Sequence, residues 1–419
     1  MKIAIIGTGI SGLTAAWRLH RQHDLTLFEA NDYIGGHTNT VEVEVGVGGR
    51  RYAVDTGFIV FNDRTYPNFI DLLEQLGVAS QTTRMSFSVR CERTGLEYNG
   101  ENLNTLFAQR RNLFRPSFHR MIRDILRFNR EAPALLDGER EISLNAWLRE
   151  GNYGREFTEH YILPMAAAIW SAEPGMMGAM PARFFVRFFK NHGLLSVNDR
   201  PQWRVIQGGS RNYVEPLTAP FRDRIRLKCP VEWVRRHPTH VQVKPWGGPA
   251  ERFDEVIIAT HSDQALRLLV DPTAKEREIL GAIPYQENEA VLHTDARLLP
   301  RRKLAWAAWN YHLPAQPRDR VAVTYNMNIL QGLDGPETFC VTLNRSETID
   351  PARILYRTTY HHPVFTAAGV KAQARRAEIS GVNRTWYCGA YWSYGFHEDG
   401  VNSGLAAARG LLERQAMAA

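Results

Sequence analysis

Hydrophobic and polar positions alternate along this chain in short blocks that predict strands and helices of ordinary length. The first block, KIAIIGTGISGLTAAWRL, has an apolar run at residues 3–6, then glycines, then an amphipathic repeat. This order predicts a buried strand, a tight turn and a helix. DLTLFEA predicts a second buried strand ending at Glu29, and FDEVIIAT a third at residues 253–260. RIRLKCPVEWVRRHPTHVQVK predicts two strands joined by a turn near His237 and Pro238.

Three glycines lie between the first predicted strand and helix. Gly7, Gly9 and Gly12 have the spacing G-x-G-x-x-G. The first permits the turn, the second lets the backbone approach a pyrophosphate, and the third lets helix and strand pack closely. Glu29, at the end of the second strand, can accept the hydroxyls of a ribose. The block predicts a dinucleotide-binding turn, but the motif alone does not separate NAD from FAD.

A second glycine-rich stretch follows soon after Glu29. EANDYIGGHTNT contains Gly35 and Gly36, and YAVDTGFIVFN predicts a strand interrupted at Gly57. Together these stretches resemble the FAD-dependent amine oxidase superfamily, which includes monoamine oxidases, phytoene desaturases and protoporphyrinogen oxidases. His37 stands where that family usually has an arginine. A helix is also predicted from Ser210, after the family-like glycine pair of WRVIQGGSRNYVEPL.

The resemblance implies an α/β fold: a Rossmann-like FAD-binding domain of the glutathione-reductase type, with a discontinuous mixed α+β substrate domain. It assigns 1–80, 200–265 and 375–419 to the FAD-binding domain, and 81–199 and 266–374 to the substrate domain. It implies noncovalent FAD and no metal. The implied FAD-binding residues are Gly7, Gly9, Ile10, Ser11, Gly12, Glu29, Ala30, Gly35, Gly36, His37, Thr38, Thr56, Gly57, Phe58, Ile59, Val231, Ala259, Thr260, Gly389, Ala390, Gly400, Val401 and Gly404.

The C-terminal stretch YCGAYWSYGFHEDGVNSGLAAARG resembles the segment that holds the redox end of the cofactor in this family. It departs from the family pattern at Ala390, where an acid is usual, and at Phe396, where amine oxidases have a tyrosine. IPYQENEAVLHTD also lacks their lysine. These departures disfavour oxidation of a simple amine. The candidate catalytic residues are Phe396, facing the flavin, and His397 and Glu398, one of which would take a proton. The alternative is that this polar pair satisfies the loop backbone.

Two segments suggest a hydrophobic substrate. Phe184, Phe185, Phe188 and Phe189 share one face of a predicted helix, and residues 107–131 combine seven arginines with apolar side chains. A basic amphipathic helix suits an anionic membrane surface. A core stripe and a solvated basic face remain the alternatives.

The net charge of +7 permits attraction to anionic lipid or to nucleic acid, but nothing resembles a groove-reading module, so we expect no nucleic-acid partner. The four cysteines are widely spaced. This spacing disfavours a disulfide framework and a structural zinc site, and it fits a reducing compartment.

GGHTNT and VDTGFIVFN resemble bacterial NAD/FAD-binding proteins associated with cyclopropane and methylated fatty acid synthases. That resemblance implies a dehydrogenase or desaturase of methylated acyl chains of phospholipids, as in furan fatty acid formation. It also implies a cytoplasmic protein that contacts the inner face of the membrane, with a lipid methyltransferase as a further partner. Two alternatives stay open: an atypical amine or amino-acid oxidase, and a non-catalytic flavoprotein in a lipid-modifying complex.

Overall fold

The computed structural model describes residues 1–46, 48–316 and 318–418. The strands in these ranges are β1 (Lys2–Ile6), β2 (Asp24–Phe28), β3 (Thr40–Val45), β4 (Arg50–Asp55), β5 (Phe61–Asn62), β6 (Ser80–Thr82), β7 (Phe87–Cys91), β8 (Leu96–Asn99), β9 (Trp203–Ile206), β10 (Ile225–Arg226), β11 (Val231–Arg236), β12 (Val241–Pro245), β13 (Glu251–Phe253), β14 (Glu255–Ile258), β15 (Tyr285–His293), β16 (Trp309–Leu313), β17 (Val323–Asn326), β18 (Cys340–Leu343), β19 (Ile354–Pro363) and β20 (Thr385–Tyr387).

The α-helices are α1 (Ile10–Leu19), α2 (Pro67–Gln75), α3 (Leu103–Leu106), α4 (Pro116–Glu131), α5 (Leu144–Glu150), α6 (Arg155–Phe157), α7 (Leu163–Trp170), α8 (Pro174–Ala179), α9 (Ala182–Asn191), α10 (Val214–Thr218), α11 (Ser262–Leu268), α12 (Ala274–Gly281), α13 (Met327–Gln331), α14 (Ala367–Gln373) and α15 (His397–Ala418). In the described ranges, no helix has both the length and the apolar content needed to cross a bilayer.

A parallel five-stranded sheet, in the order β10-β2-β1-β14-β20, forms the centre of the nucleotide-binding half. Its apolar runs are continuous because both faces are covered. Ile3 and Ile5 pack into the core that contains α1 and α15, whereas Ala4 and Ile6 pack into the core beside β11–β13. The predicted Rossmann-like α/β fold is confirmed. Its strands come from widely separated parts of the sequence, and the exact domain boundaries stay a prediction.

The other half contains a seven-stranded sheet, in the order β19-β15-β18-β17-β16-β7-β8, and the helices between residues 103 and 191. Its core joins side chains of the sheet to Phe128, Phe157, Phe185 and Phe189 from the helices. A small sheet, β5-β9-β6, pairs residues 61–62 and 80–82 with 203–206. This small sheet pairs the segments in which the chain leaves the nucleotide-binding half with the segment in which it returns.

One local prediction needs correction. Residues 253–260 do not form one strand, because the chain passes at Asp254 from the β11–β13 sheet into β14. The Asp254 carboxylate accepts the N–H of Lys2 at 2.7 Å and fixes this corner. The helix predicted near Ser210 begins there as a 3₁₀ helix that ends at Tyr213, and it continues as α10 from Val214. The predicted hairpin at His237 and Pro238 is confirmed, since β11 and β12 pair antiparallel there.

Candidate functional site

The turn between β1 and α1 depends on three glycines for different reasons. Gly7 has a φ of +101°, and its N–H donates to the carbonyl of Phe28 at 2.9 Å. A Cβ on Gly12 would lie 2.1 Å from the carbonyl oxygen of Gly7, so only glycine allows this approach. A Cβ on Gly9 would meet nothing within 4 Å. Gly9 therefore borders open space before the start of α1, where free N–H groups and the helix dipole favour a phosphate.

Glu29 lies beside this turn, at the carboxyl end of β2. Its Oε2 accepts the N–H of Thr8 at 3.0 Å and the Thr8 hydroxyl, and its Oε1 accepts the N–H of Asn31 at 2.9 Å. The backbone of Cys229 pairs with the carbonyl of Glu29 at 2.8 Å. This contact brings Val231, at the start of β11, to the same edge of the sheet. Ala259 also arrives there, with its N–H bonded to the Ile6 carbonyl at 2.8 Å.

The second glycine pair folds directly onto the first turn. Gly35 bridges to Gly9, and its N–H donates to the carbonyl of Thr8 at 3.0 Å. A Cβ on Gly36, which has a φ of +61°, would lie 3.1 Å from the Cα of Gly9. Two glycine segments that are separate in the sequence thus form one small platform at the end of the parallel sheet.

His37 follows this platform and lies among other imidazoles. Its ring stacks on Tyr360 at 4.9 Å and lies 5.3 Å from the ring of His362 and 6.2 Å from that of His261. Burial, together with the repulsion from His362 and His261, holds the pKa of His37 well below its ordinary value. At neutral pH His37 therefore offers a neutral ring N–H, unlike the cationic arginine of the resembled family.

The interrupted strand around Gly57 pairs with the segment after His37. The N–H of Phe58 donates to the carbonyl of His37 at 2.7 Å, and a Cβ on Gly57 would lie 2.2 Å from the same oxygen. Gly57 is required here because the two backbones touch.

Asp55, which was not among the predicted site residues, is a buried carboxyl group that hydrogen-bonds to two separate segments of the site. It accepts the N–H of Ser210 at 2.9 Å and the hydroxyls of Ser210 and Thr40 at 2.8 and 2.5 Å. Burial raises its pKa to about 6. The carboxylate therefore links the N-terminal segment to the segment near residue 210, where the chain returns to the nucleotide-binding half. Its position at the end of β4 was visible in the sequence, but its partners were not.

The start of α15 crosses the start of α1 at very short distance. A Cβ on Gly400 would lie 2.6 Å from Cγ2 of Ile10, and one on Gly404 would lie 2.4 Å from the carbonyl oxygen of Ser11. The N–H of Gly389 donates to the hydroxyl of Ser403 at 2.9 Å. The two ends of the chain, predicted to hold opposite ends of one cofactor, therefore meet through glycines.

Phe396 and His397 point to different surroundings. The Phe396 ring stacks on Phe188 of α9, with centroids 5.1 Å apart. The Nε2 of His397 lies 2.9 Å from the hydroxyl of Tyr213 and 3.1 Å from that of Thr38. Burial lowers the pKa of His397 to about 3, so its imidazole is neutral. Its ring stacks on Phe58 with centroids 3.5 Å apart.

Glu398 binds the beginning of α2. Its Oε2 accepts the N–H of Phe69 at 2.8 Å, and its Oε1 accepts the N–H and the side-chain amide of Asn68 at 3.1 and 3.0 Å. Tyr66, the residue before α2, supplies no side-chain cap. The Glu398 carboxylate thus accepts backbone N–H groups at the start of α2, which agrees with the alternative interpretation. Its side chain is fully engaged away from Phe396.

Aromatic side chains surround Phe396 on the substrate half, and we call Phe184, Phe188, Tyr394 and Phe396 the aromatic wall. Tyr394 contacts Phe184 at 4.6 Å between centroids, and Phe184 stacks on Phe365 at 5.1 Å. The indole N–H of Trp170 donates to the carbonyl of Tyr394 at 3.1 Å. In the predicted phenylalanine stripe of α9, Phe185, Phe188 and Phe189 are buried in the core and Phe184 is partly buried against it. Phe184 and Phe188 also contact Tyr394. The contributions of Trp170 and Phe365 carried no signal in the sequence.

A sequence profile described as flavin-containing amine oxidoreductase matches residues 10–320 of the chain. The chain belongs to this family. It is therefore an FAD-dependent oxidoreductase, and the open space before Gly9, the free start of α1 and the acid at the end of β2 suit an adenosine diphosphate group. The cofactor and the enzyme class expected from the resemblance are confirmed.

Individual proteins resemble the chain either over a short segment or over nearly its whole length at low sequence identity. A 1-hydroxycarotenoid 3,4-desaturase of a Flavobacterium species is 43% identical over 76 residues, which is 18% of this chain and 14% of the desaturase. Cyclohexylamine oxidase from Brevibacterium oxydans has a TM-score of 0.66 at 16% identity, with 99% of both chains covered. A CLA-producing fatty acid isomerase from P. acnes has a TM-score of 0.67 at 15% identity, with 98% of both covered. At these identities the two structures show a common fold.

Proposed function

We propose that this protein uses FAD to remove hydride from a hydrophobic chain, with a methylated acyl chain of a phospholipid as substrate. The observation that carries the proposal is the aromatic wall around Phe396. The rings of Phe188, Phe184 and Tyr394 pack together beside Phe396, and an apolar substrate would bind next to them. Such a surface gains free energy by excluding water from an apolar ligand.

The titratable groups next to this wall are poorly suited to binding an ion. His192 stacks on Phe188 at 3.9 Å, and burial lowers its pKa to about 4. His397 is neutral for the same reason. Glu398 is occupied by α2. Asp399, whose pKa burial raises to about 6, accepts the N–H groups of Phe396 and Tyr394 at 2.9 and 3.2 Å, so its carboxyl group is engaged by the backbone. A surface of aromatic rings favours a C–H bond of an apolar chain over the ammonium or carboxylate of an amino acid.

The cofactor would supply the acceptor for hydride, and the protein's own residues hold it and keep the site dry. Gly9 and the start of α1 would bind the pyrophosphate, Glu29 the adenosine ribose, and the start of α15 would favour negative charge at the redox end. Phe396 would position the substrate beside it. Loss of hydride and of a proton from neighbouring carbons leaves a carbon–carbon double bond in the chain. His397 is poorly placed to hold that proton, because burial lowers its pKa to about 3 and its Nε2 contacts the hydroxyls of Tyr213 and Thr38, so the proton would pass to solvent.

The names of two relatives point in the same direction. A carotenoid desaturase and a fatty acid isomerase are both named for long apolar molecules. The first match covers a short segment, and the second shows only the fold. They support the substrate class and leave the position of oxidation to experiment.

The test is an anaerobic titration of the FAD-loaded protein, followed by the visible absorbance of the oxidised flavin. Vesicles of methyl-branched phospholipids should bleach the band, whereas vesicles with unbranched saturated chains should bleach it slowly. Phe396→Leu should slow bleaching by the branched lipid. Trp246→Leu, which changes an indole that is 72% exposed and lies outside the aromatic wall, is the control.

Other outcomes decide between the remaining hypotheses. Bleaching by cyclohexylamine or putrescine, and not by lipid, would replace the proposal with amine oxidation. A protein that retains FAD, is reduced by neither, and co-purifies with a lipid methyltransferase would instead support a non-catalytic role in a lipid-modifying complex.

A further inference from the structure

The segment from α3 to α4 exposes an unusual amount of apolar surface. Leu103 is 74% exposed, Leu113 45%, Phe114 86% and Leu126 54%. The first three lie on α3 and on the 3₁₀ turn at Arg110–Phe114, and Leu126 lies on the outer face of α4. We call these four residues, with the arginines that surround them, the basic apolar surface. Exposed leucine and phenylalanine side chains grouped in this way mark an interaction site.

The arginines of this surface have no carboxylate partners. Among the described residues, no carboxylate lies within salt-bridge distance of Arg110, Arg111, Arg115, Arg120 or Arg123. Two of the nearby acids are committed elsewhere. Asp124 is buried and accepts the N–H of Gly154 at 2.8 Å, and Glu131 pairs with Arg127 and Arg130 at the far end of α4. Glu156 lies near Arg120, so the five arginines leave the surface with an excess of positive charge.

The protein holds the apolar tip in place. Asn112 is fully buried beneath the tip, and Gln109 beside it is only 2% exposed. The guanidinium of Arg111 donates to the carbonyl of Gly95 at 2.8 Å, and the imidazole of His119 contacts the carbonyl of Leu113 at 2.8 Å. Leu113 and Phe114 are thus presented to solvent by an anchored turn. A turn that already has its bound shape loses little entropy on binding.

We propose that the basic apolar surface docks the protein on an anionic phospholipid bilayer. Leu103, Leu113 and Phe114 would enter the headgroup region, while the arginines would bind phosphate groups around them. Interfacial binding of this kind combines buried apolar area with attraction to anionic lipid. Nucleic acid fits less well, because exposed leucines neither stack on bases nor bind phosphate.

The surface is connected to the aromatic wall by two packed helices. On the inner side of α4, Phe128 contacts Phe185 and Phe189 of α9, with centroids 6.3 and 6.4 Å apart. From the same helix α9, Phe188 stacks on Phe396. Docking through α4 would hold the flavin site close to the lipid. The inference does not rest on the proposed reaction, since docking can be measured without turnover.

The experiment is sedimentation of full-length, FAD-loaded protein with vesicles of equal parts phosphatidylcholine and phosphatidylglycerol. Phe114→Ser should weaken partitioning into the vesicles about tenfold, since it removes an aromatic side chain that would be buried in the bilayer. Arg120→Gln with Arg123→Gln should weaken it roughly 25-fold, and this effect should vanish on pure phosphatidylcholine and shrink at high salt. Neither arginine makes a side-chain hydrogen bond among the described residues, so folding should be retained, and flavin content checks this.

Two matched controls have the same chemistry at other places. Trp246→Ser removes another exposed aromatic residue, and Arg21→Gln with Arg222→Gln removes the same charge from exposed positions. The inference is overturned if the controls weaken binding as much as the test variants. It is also overturned if a single-stranded oligonucleotide, rather than the vesicles, binds in a way that depends on Arg120 and Arg123.

Discussion

Glu398 offers a sharp test of whether a residue beside the flavin segment is catalytic or structural. Its carboxylate is 6% exposed and accepts three hydrogen bonds at the start of α2. In Glu398→Gln one oxygen becomes an NH₂ group that faces an N–H donor. The loss of one charge-assisted bond and of negative charge at a helix start costs about 2 kcal/mol. Hydrogen exchange in a peptide covering residues 66–76 should therefore become about 30-fold faster.

Turnover supplies the second measurement. If Glu398 only caps α2, the rate of flavin reduction should change little in Glu398→Gln. A general acid or base would instead contribute roughly a hundredfold or more. Glu413→Gln, on an exposed part of the same helix, should affect neither quantity. A large loss of turnover with unchanged exchange in α2 would refute the capping role and restore Glu398 as a catalytic residue.

Three further predictions test the cofactor platform and its buried groups. Gly12→Ala should yield protein with little bound flavin, because the added Cβ would lie 2.1 Å from a carbonyl oxygen. The measurement is the ratio of flavin to protein absorbance. Gly138→Ala, where an added Cβ would meet nothing within 4 Å, should retain its flavin. Burial lowers the pKa of His362 to about 4, so its contribution to stability is complete above pH 6.5 and is lost as pH falls toward 4. His362→Asn should flatten urea midpoints measured across that range, and an unchanged slope would contradict this. Tyr213→Phe removes the hydroxyl that contacts His397 and should lower stability by about 1–3 kcal/mol, measured as a lower urea midpoint, with flavin retained.

The residues that the sequence located best are those whose role is local. Gly7 and Gly12 are needed because one turn must reverse the chain within a few residues, and their spacing alone shows this. Glu29 follows from the same unit, because parallel strands end at one edge of a sheet. The phenylalanine stripe of α9 was also visible as a helical repeat. The contacts of Phe184 and Phe188 with Tyr394 were not visible, because Tyr394 lies about 200 positions further along the chain.

The residues whose surroundings the sequence did not show depend on distant partners. Glu398 looked like half of a catalytic pair, but its partners on α2 are 329 and 330 positions away. His37 was expected to donate like an arginine of less certain charge, but burial, with the repulsion from His362 of β19 and His261 before α11, keeps it neutral. Asp55 was visible only as part of a family-like motif, because its partners Ser210 and Gln331 come from distant segments.

The sequence by itself determined the α/β core and the dinucleotide turn, while the choice of FAD came from the family resemblance. Periodicity, glycine spacing and strand ends are properties of short segments, and they are set by backbone sterics and the burial of apolar runs. Only the tertiary structure decided which buried groups are neutral, which carboxylate caps a helix and which aromatic rings surround Phe396. Those properties depend on desolvation and hydrogen bonding between segments far apart in the chain, and such contacts exist only once the fold has brought the segments together.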